Sequence, residues 1–416
     1  MRRLRSRSPR ASALRALALV FLAGLALYPL RPATAGGGES SCRREPPTSM
    51  LERAVAWLES RQHEDGSFRS ETYAILRDGD ALTPFVLGAL LDVPEEHFPG
   101  KKRVIARALG FLRKKADAEG VLGRGDPIVL EYPTLSTALA AICLLRAGDA
   151  GDRDLTTRMA DWLVRTQLDE DEGFERDSPA YGGWGFGGVH PKGVAGHMDL
   201  VHTRAALEAL ALAGRLEETT RDKALHFLAL VQKHPGEKRP QPLPPGFERG
   251  ESPPYDGGFY LSPWVLAANK GGMILDETGR ARGFGSYASA TSEGALALLA
   301  VGLSPSHEKV LEARTWLLSH PGFEPPGGIP VDQPSPWADS VLFYHASVRA
   351  RANAILDLPG DWREDLARFL SMRQGRDGSF RNEAGHLMKE DDPLLCTALA
   401  VTALGKVLGD RGPGPQ

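Results

Sequence analysis

The sequence predicts an all-α protein, a single-domain α6/α6 toroid in which six half-buried helices form an outer ring around six fully buried ones. Three observations lead there. An aromatic residue followed by Leu recurs as Trp57-Leu58, Phe111-Leu112, Trp162-Leu163, Phe227-Leu228, Trp316-Leu317 and Phe369-Leu370, and an internal repeat outranks any single motif as a guide to architecture. Each copy leads into a Gly-containing turn, at Asp65-Gly66-Ser67-Phe68, Glu119-Gly120, Glu172-Gly173-Phe174, Asp256-Gly257-Gly258-Phe259, Gly327-Gly328 and Asp377-Gly378-Ser379-Phe380. The helix type then alternates. Helices carrying the aromatic are amphipathic: Leu51, Val55 and Leu58 share one face, while Glu52, Arg53 and Glu59 look elsewhere. Those after the turn are apolar nearly all round and must be buried on every side.

In chain order, residues 1–35 read as an export signal: the basic MRRLRSRSPR, an apolar run from Ala16 to Leu30, and small residues Ala33-Thr34-Ala35 at the cleavage point. An apolar run this short, interrupted by Pro29, falls below the roughly 20 residues of a membrane span. The expectation is therefore an exported protein, periplasmic or extracellular, with no stable span after signal cleavage. Residues 36–49 read as a flexible linker and 50–410 as the toroid. Gln62, Gln167, Gln232 and Gln374 follow the aromatic by five residues, with Ala116 and Pro321 in the other copies. Buried helices are expected over Leu82 to Leu91, Thr134 to Leu145, Leu200 to Leu212, Ser292 to Val301, Leu342 to Leu356 and Leu394 to Val407. The connection 235–287 breaks the spacing. It is Pro-rich from Pro240 to Pro245, then carries Tyr255, Phe259, Tyr260 and Trp264, and is expected to fold over one mouth of the toroid as a lid. Residues 411–416 read as a disordered tail.

Hydrophobic residues at 42% and charged residues at 25% supply a sizeable core. Removing 1–35 with its seven arginines leaves 43 basic and 53 acidic residues, formally −10, which argues against nucleic acid as a partner. Cys42, Cys143 and Cys396 are too few and odd in number for a disulfide framework, and the latter two read as buried thiols.

The repeated phrases, paired helices and six-fold count resemble the prenyltransferase and squalene-cyclase repeat family, the terpenoid cyclase and protein prenyltransferase toroids, across nearly all of the chain after the signal. Asp199-Leu200-Val201-His202-Thr203, Gly285-Ser286-Tyr287 and Asp391-Asp392-Pro393-Leu394-Leu395 add to the likeness, which is greatest to uncharacterised secreted bacterial members. The resemblance implies an α/α toroid whose central cavity takes an apolar or isoprenoid-like small molecule. Two family signatures are missing. Where squalene and hopene cyclases carry an Asp-x-Asp-Asp acid, this chain reads Glu131-Tyr132-Pro133-Thr134-Leu135-Ser136-Thr137. Phe343-Tyr344-His345 is similar to the histidine segment of prenyltransferase β subunits, but Gly285-Ser286-Tyr287 lacks the Asp-x-Cys of their zinc site.

In a toroid the N-termini of the inner helices gather at one rim, where free N–H groups and helix dipoles favour anions. Candidate catalytic residues there are Asp199, His202, His345, Asp391 and Asp392; candidate ligand-binding residues are Tyr132, Tyr287, Glu293, Tyr344, Arg349, Asn353 and Trp264. Asp199 reads first as a helix cap. With His197 and His202 it is also a weak metal candidate, in a spacing that matches no standard zinc pattern. No metal or cofactor is assigned. His345, Arg349 and Asn353 form one stripe at i, i+4 and i+8. A base beside a cation suits a lyase acting on uronic-acid sugars, so a secreted polysaccharide-acting lyase or hydrolase is the first alternative. The paired Asp391-Asp392 would suit a general acid, and solvated helix-terminal acids are the plainer reading. Glu293 reads as a first-turn acid. A non-catalytic binding or scaffold protein is the second alternative, and the sequence identifies no protein partner.

Overall fold

The structure, a computed structural model, describes residues 45–126, 128–188, 190–251 and 255–409. The expected signal, Cys42, most of the expected linker and the tail at 411–416 lie outside the described residues.

The chain moves alternately between two rings. It runs through α1 (Pro47–Ser60, outer), α2 (Leu82–Leu91, inner), α3 (Lys101–Lys115, outer), α4 (Pro133–Ala147, inner), α5 (Arg153–Arg165, outer) and α6 (Leu200–Leu212, inner). It continues with α7 (Glu218–Val231, outer), α8 (Ala288–Ala300, inner), α9 (Glu308–Ser319, outer), a short α10 (Trp337–Ser340), α11 (Leu342–Ile355, inner), α12 (Trp362–Ser371, outer) and α13 (Pro393–Leu408, inner). Each inner helix packs on the inner helices before and after it, and α13 packs back on α2, which closes the ring. The predicted toroid is the observed fold.

One local rule builds each repeat. The six outer aromatics are all buried, Trp57 the most accessible at 8%, and the Leu beside each is fully buried, so every outer helix presses its apolar stripe into the inter-ring gap. Burying a Leu side chain contributes about 1.5–3 kcal/mol. The Gln five residues on binds two layers: Gln62 Nε2 donates to Gly66 O and Val104 O, Gln167 to Gly182 O and Thr220 O, Gln232 to Gly257 O and Lys309 O, and Gln374 to Gly378 O and Met50 O. Each Gln thus ties its own turn to the next outer helix. The last ties α12 to α1 and closes the outer ring.

Beyond the turn glycine, a backbone N–H donates to a threonine of the inner helix: Phe68 to Thr83, Leu122 to Thr137, Trp184 to Thr203, Phe259 to Thr291 and Phe380 to Thr397. The fifth repeat has Pro330 where the donor belongs, and a proline has no N–H. The matching helix position there is Ala346.

Three expectations are corrected. The third turn is Gly182-Gly183-Trp184, not Glu172-Gly173-Phe174: Gln167 binds Gly182 O, and Gly182 has φ +85 with its α-carbon so close to α7 that an added Cβ would lie 1.8 Å from Lys223 O. Helix α1 begins at Pro47, inside the expected linker, because Pro at the first helical position costs no hydrogen bond. Helix α8 begins at Ala288, four residues before Ser292, which puts Glu293 in its second turn rather than its first.

The connection 235–287 contains a hairpin of β1 (Met273–Leu275) and β2 (Ala281–Phe284). Its aromatic half packs onto the N-terminal ends of α6 and α8. Phe259 and Tyr260 are fully buried, Leu200 N donates to Leu261 O, Ser262 Oγ donates to Met198 O, and Tyr287 N donates to Phe259 O. No helix among the described residues is long and apolar enough to cross a membrane.

Candidate functional site

The inner helices show the same face to the ring axis. The partly accessible positions are Phe85 and Gly88 on α2, Leu135, Leu139 and Ile142 on α4, Val201 and Glu208 on α6, Tyr344 and Arg351 on α11, and Leu395 and Thr402 on α13. Glu208 and Arg351 lie within the inner ring, yet keep 21% and 29% of their side chains accessible. That accessibility marks open space along the ring axis. At Gly88 an added Cβ would meet nothing within 4 Å.

The wall of this lumen has two characters. Towards α2, α4 and α13 it is apolar apart from Thr402. Towards α6, α8 and α11 it is charged: Arg204 donates to Glu293 and Glu208, Arg351 donates to Glu208 at 2.9 Å, and the Tyr344 hydroxyl donates to Glu293. Glu293 is 1% exposed and Arg204 6%. Isolated charges would not tolerate that burial, and here each cation faces a carboxylate. Burial alone would lower the Arg204 pKa, but Glu208 and Glu293 hold it above the ordinary value. Where α2, α4 and α13 end, Asp92 joins Arg146 at 2.5 Å and Lys406 at 3.1 Å.

The opposite mouth is built by the segments that lead into the inner helices. Asp199 is extended and caps α6, accepting from Val201 N and His202 N. Its Oδ1 also meets His202 Nδ1 at 2.8 Å, and its Oδ2 faces His197 Nε2 at 3.4 Å. Burial works against the Asp199 carboxylate, but the two imidazoles outweigh it and hold the group far below the usual range. His202 is 4% exposed, and its Nε2 has no hydrogen-bond partner. Tyr132 and Phe186 wall it, with ring centroids 6.4 and 6.2 Å away.

Lys270 lies close by, 5% exposed, its Nζ 4.9 Å from the Trp337 ring centre; burial pulls its pKa down to about 8. The Tyr287 hydroxyl, 1% exposed, is near Asp199 and the Lys270 backbone. Lys389 places its ammonium 5.8 Å from both the Tyr73 and Tyr132 rings.

Of the sequence-predicted residues, Tyr132, His197, Asp199, His202, Tyr287, Glu293 and Tyr344 therefore gather at the mouth and the upper lumen. Others do not. His345, Arg349 and Asn353 face the outer ring: His345 Nε2 meets Gly322 O at 3.2 Å and Arg349 Nη2 donates to Leu317 O at 2.6 Å. These are carbonyls at and just past the C-terminus of α9, where a cation is favoured by the helix dipole. Burial and Arg349 push the His345 pKa down to about 3, and the base expected for a lyase is shut away from the lumen.

Asp391 and Asp392 do not act as a pair. Asp391 accepts from the Tyr73 hydroxyl at 2.6 Å, while Asp392 caps α13 and accepts from Ser70 Oγ. Trp264 is 40% exposed, and its ring meets Phe174 edge-on. Among the described residues no group of three His, Cys, Asp or Glu is arranged to hold a metal; Asp199 caps α6 and faces both the His197 and the His202 imidazole. Sequence reasoning missed Phe186, Arg204, Glu208, Lys270, Arg351 and Lys389. The two lysines and Phe186 come from connections that no periodicity locates; Arg204, Glu208 and Arg351 were legible as charges on buried helices.

No protein-family model and no curated protein matches the chain. Solved structures do. A variant of the type II terpene cyclase MstE from Scytonema, in complex with its product merosterolic acid A, aligns with TM-score 0.53 at 14% identity over 86% of this chain and 96% of that one. Another variant of the same cyclase, holding its substrate geranylgeranyl dihydroxybenzoate, gives 0.52 at 13% identity over 87% and 97%. A protein from Actinoplanes gives 0.50 at 17% identity over 87% and 99%. The chain has the terpenoid-cyclase-like α/α toroid fold.

Proposed function

We propose that this is an exported toroid that binds an amphipathic, isoprenoid-like small molecule in its lumen. The observation that carries this reading is the two-sided wall. An apolar body lies against Phe85, Leu135, Ile142 and Leu395, and a polar end meets Arg204, Glu293 and Tyr344. At the mouth, His202 Nε2 and the Tyr287 hydroxyl offer further polar contacts, and the aromatic half of 235–287 closes over the bound molecule as a lid. The Asp199 carboxylate is ionised and engaged as a cap, so it orients His202 rather than donating a proton. His202 is the group placed to accept a proton from a bound molecule.

The test is mass spectrometry of small molecules extracted from the protein purified from its exported compartment, beside Gly88→Trp. The indole projects into the lumen, and replacing a helical glycine does not weaken the helix. A lipid-like molecule present in the wild type and lost in a folded Gly88→Trp protein supports the reading. An empty wild type, or equal occupancy in both, refutes it.

A further inference from the structure

Outside the toroid wall, between the C-terminus of α7 and the β1–β2 hairpin, lies a separate cavity of about 300 Å³ lined by Lys233, Glu237, Arg239, Arg249, Tyr255 and Arg282 among others. A space of this size falls at the lower end of small-molecule sites. Its lining carries four Lys or Arg and one carboxylate, a formal surplus of three positive charges, in a chain whose net charge is −3.

The cations come from three directions. Lys233 ends α7 in a left-handed conformation, φ +58, and its side chain is 5% exposed, donating to Phe284 O at 3.2 Å with Asp256 3.6 Å away. Arg239 spends one edge on Glu237, at 2.9 and 2.6 Å, and donates to His226 O; its Nη1 is buried with no partner. Arg249 is exposed and donates to Gln241 O at 2.7 Å. Arg282 reaches from β2, with its Nε donating to Glu251 O. The fully buried Tyr260 hydroxyl, which does not itself line the cavity, lies near Arg239 and Glu237 and has no hydrogen-bond partner.

We propose that this cavity binds a small molecule bearing a phosphate or sulfate ester. A tetrahedral oxyanion presents acceptors in several directions, which suits cations converging from a helix end, a connection and a strand; a planar carboxylate would satisfy one edge of one arginine. The volume left beyond the anion holds the body of the ligand, against Leu230, Pro235 and Tyr255. The site is independent of the lumen and does not rest on the function proposed for it.

Isothermal titration calorimetry at constant ionic strength tests it with four probes: glucose 6-phosphate, glucose, inorganic phosphate and inorganic sulfate. The expected result is binding of the phosphate ester more tightly than either inorganic anion, no heat with glucose, and at least a ten-fold loss in Arg249→Gln. That side chain is exposed, so the variant keeps the wild-type urea midpoint. Gly88→Trp binds as wild type, which separates this cavity from the lumen. No binding, binding of inorganic anions alone, or an ester affinity unchanged in both Arg249→Gln and Lys233→Met overturns the proposal.

Discussion

Replacing Thr203 by Val tests the rule that builds the repeats. The change keeps the branched shape and removes the oxygen that accepts from Trp184 N at 3.0 Å, in a residue that is 0% exposed. Trp184 is itself fully buried, so its N–H finds no water. Leaving a buried backbone donor unsatisfied costs about 1–3 kcal/mol. The hydroxyl also donates to Asp199 O, but that carbonyl still accepts from Thr203 N, so this second loss is small. Thr137→Val, which frees Leu122 N, should cost the same. The control is Ala346→Thr in the fifth repeat. With Pro330 opposite, the added hydroxyl has no N–H to accept, and the variant should gain nothing. Urea unfolding followed by tryptophan fluorescence reads all three. An unchanged midpoint in Thr203→Val, or a raised one in Ala346→Thr, would refute the reasoning.

Two more outcomes follow from the same geometry. Glu390 is fully buried, and burial outweighs the N–H groups of Phe343, Tyr344 and Asn382 to push its pKa up to about 7. The fold thus favours the protonated acid, a contribution complete below the ordinary value of 4.5 and lost as pH rises towards 7, on the order of 3 kcal/mol. Glu390→Gln should flatten the urea midpoint across that window by the corresponding amount; an identical slope in both proteins would count against it. Gly182→Ala should destabilise by at least 1–2 kcal/mol, the price of the left-handed region alone, and more because of the contact with Lys223 O; the same urea titration reads it, and wild-type stability would put the third turn elsewhere.

The rings were legible because periodicity reports burial directly. Leu82–Leu91 and Leu200–Leu212 are expected and observed with the same ends. The misplaced third turn has a local cause. Gly173 also has positive φ, +84, and precedes a buried phenylalanine, so Gly173-Phe174 imitates the true turn; the reach of Gln167 to Gly182 O and the bond from Trp184 N to Thr203 distinguish them. The start of α8 was hidden for the opposite reason. Ser289, Thr291 and Ser292 read as a polar lead-in, but Ser292 Oγ donates to Ala288 O and Thr291 accepts from Phe259 N, so buried helix absorbs them. His202 and His345 show where sequence position runs out. Each stands one residue before the repeated register position of the inner helix, at Thr203 and at Ala346. The first meets Asp199, Tyr132 and Phe186 because the long segment before α6 turns inward; the second meets the segment that follows α9. The connections decide which histidine joins the mouth.

The acids at that mouth limit its chemistry. Glu131 accepts from Asp78 N and Ala81 N, from the lead-in of α4 to the start of α2. Glu390 serves α11 in the same way from the lead-in of α13, accepting from Phe343 N and Tyr344 N. Asp199 and Asp392 cap their own helices. Helix N-termini need such acceptors, because their first N–H groups have no partner within the helix. The consequence reaches the site. Protonating an alkene requires a carboxylic acid whose proton faces the lumen, and these four carboxyls are committed to backbone donors. Among the described residues there, His202 Nε2 has no hydrogen-bond partner, and the Tyr287 hydroxyl and the weakly held Lys270 ammonium stand near Asp199. A mouth of that composition suits accepting a proton from a bound molecule, or holding an anionic end of one, rather than starting a cationic cyclisation.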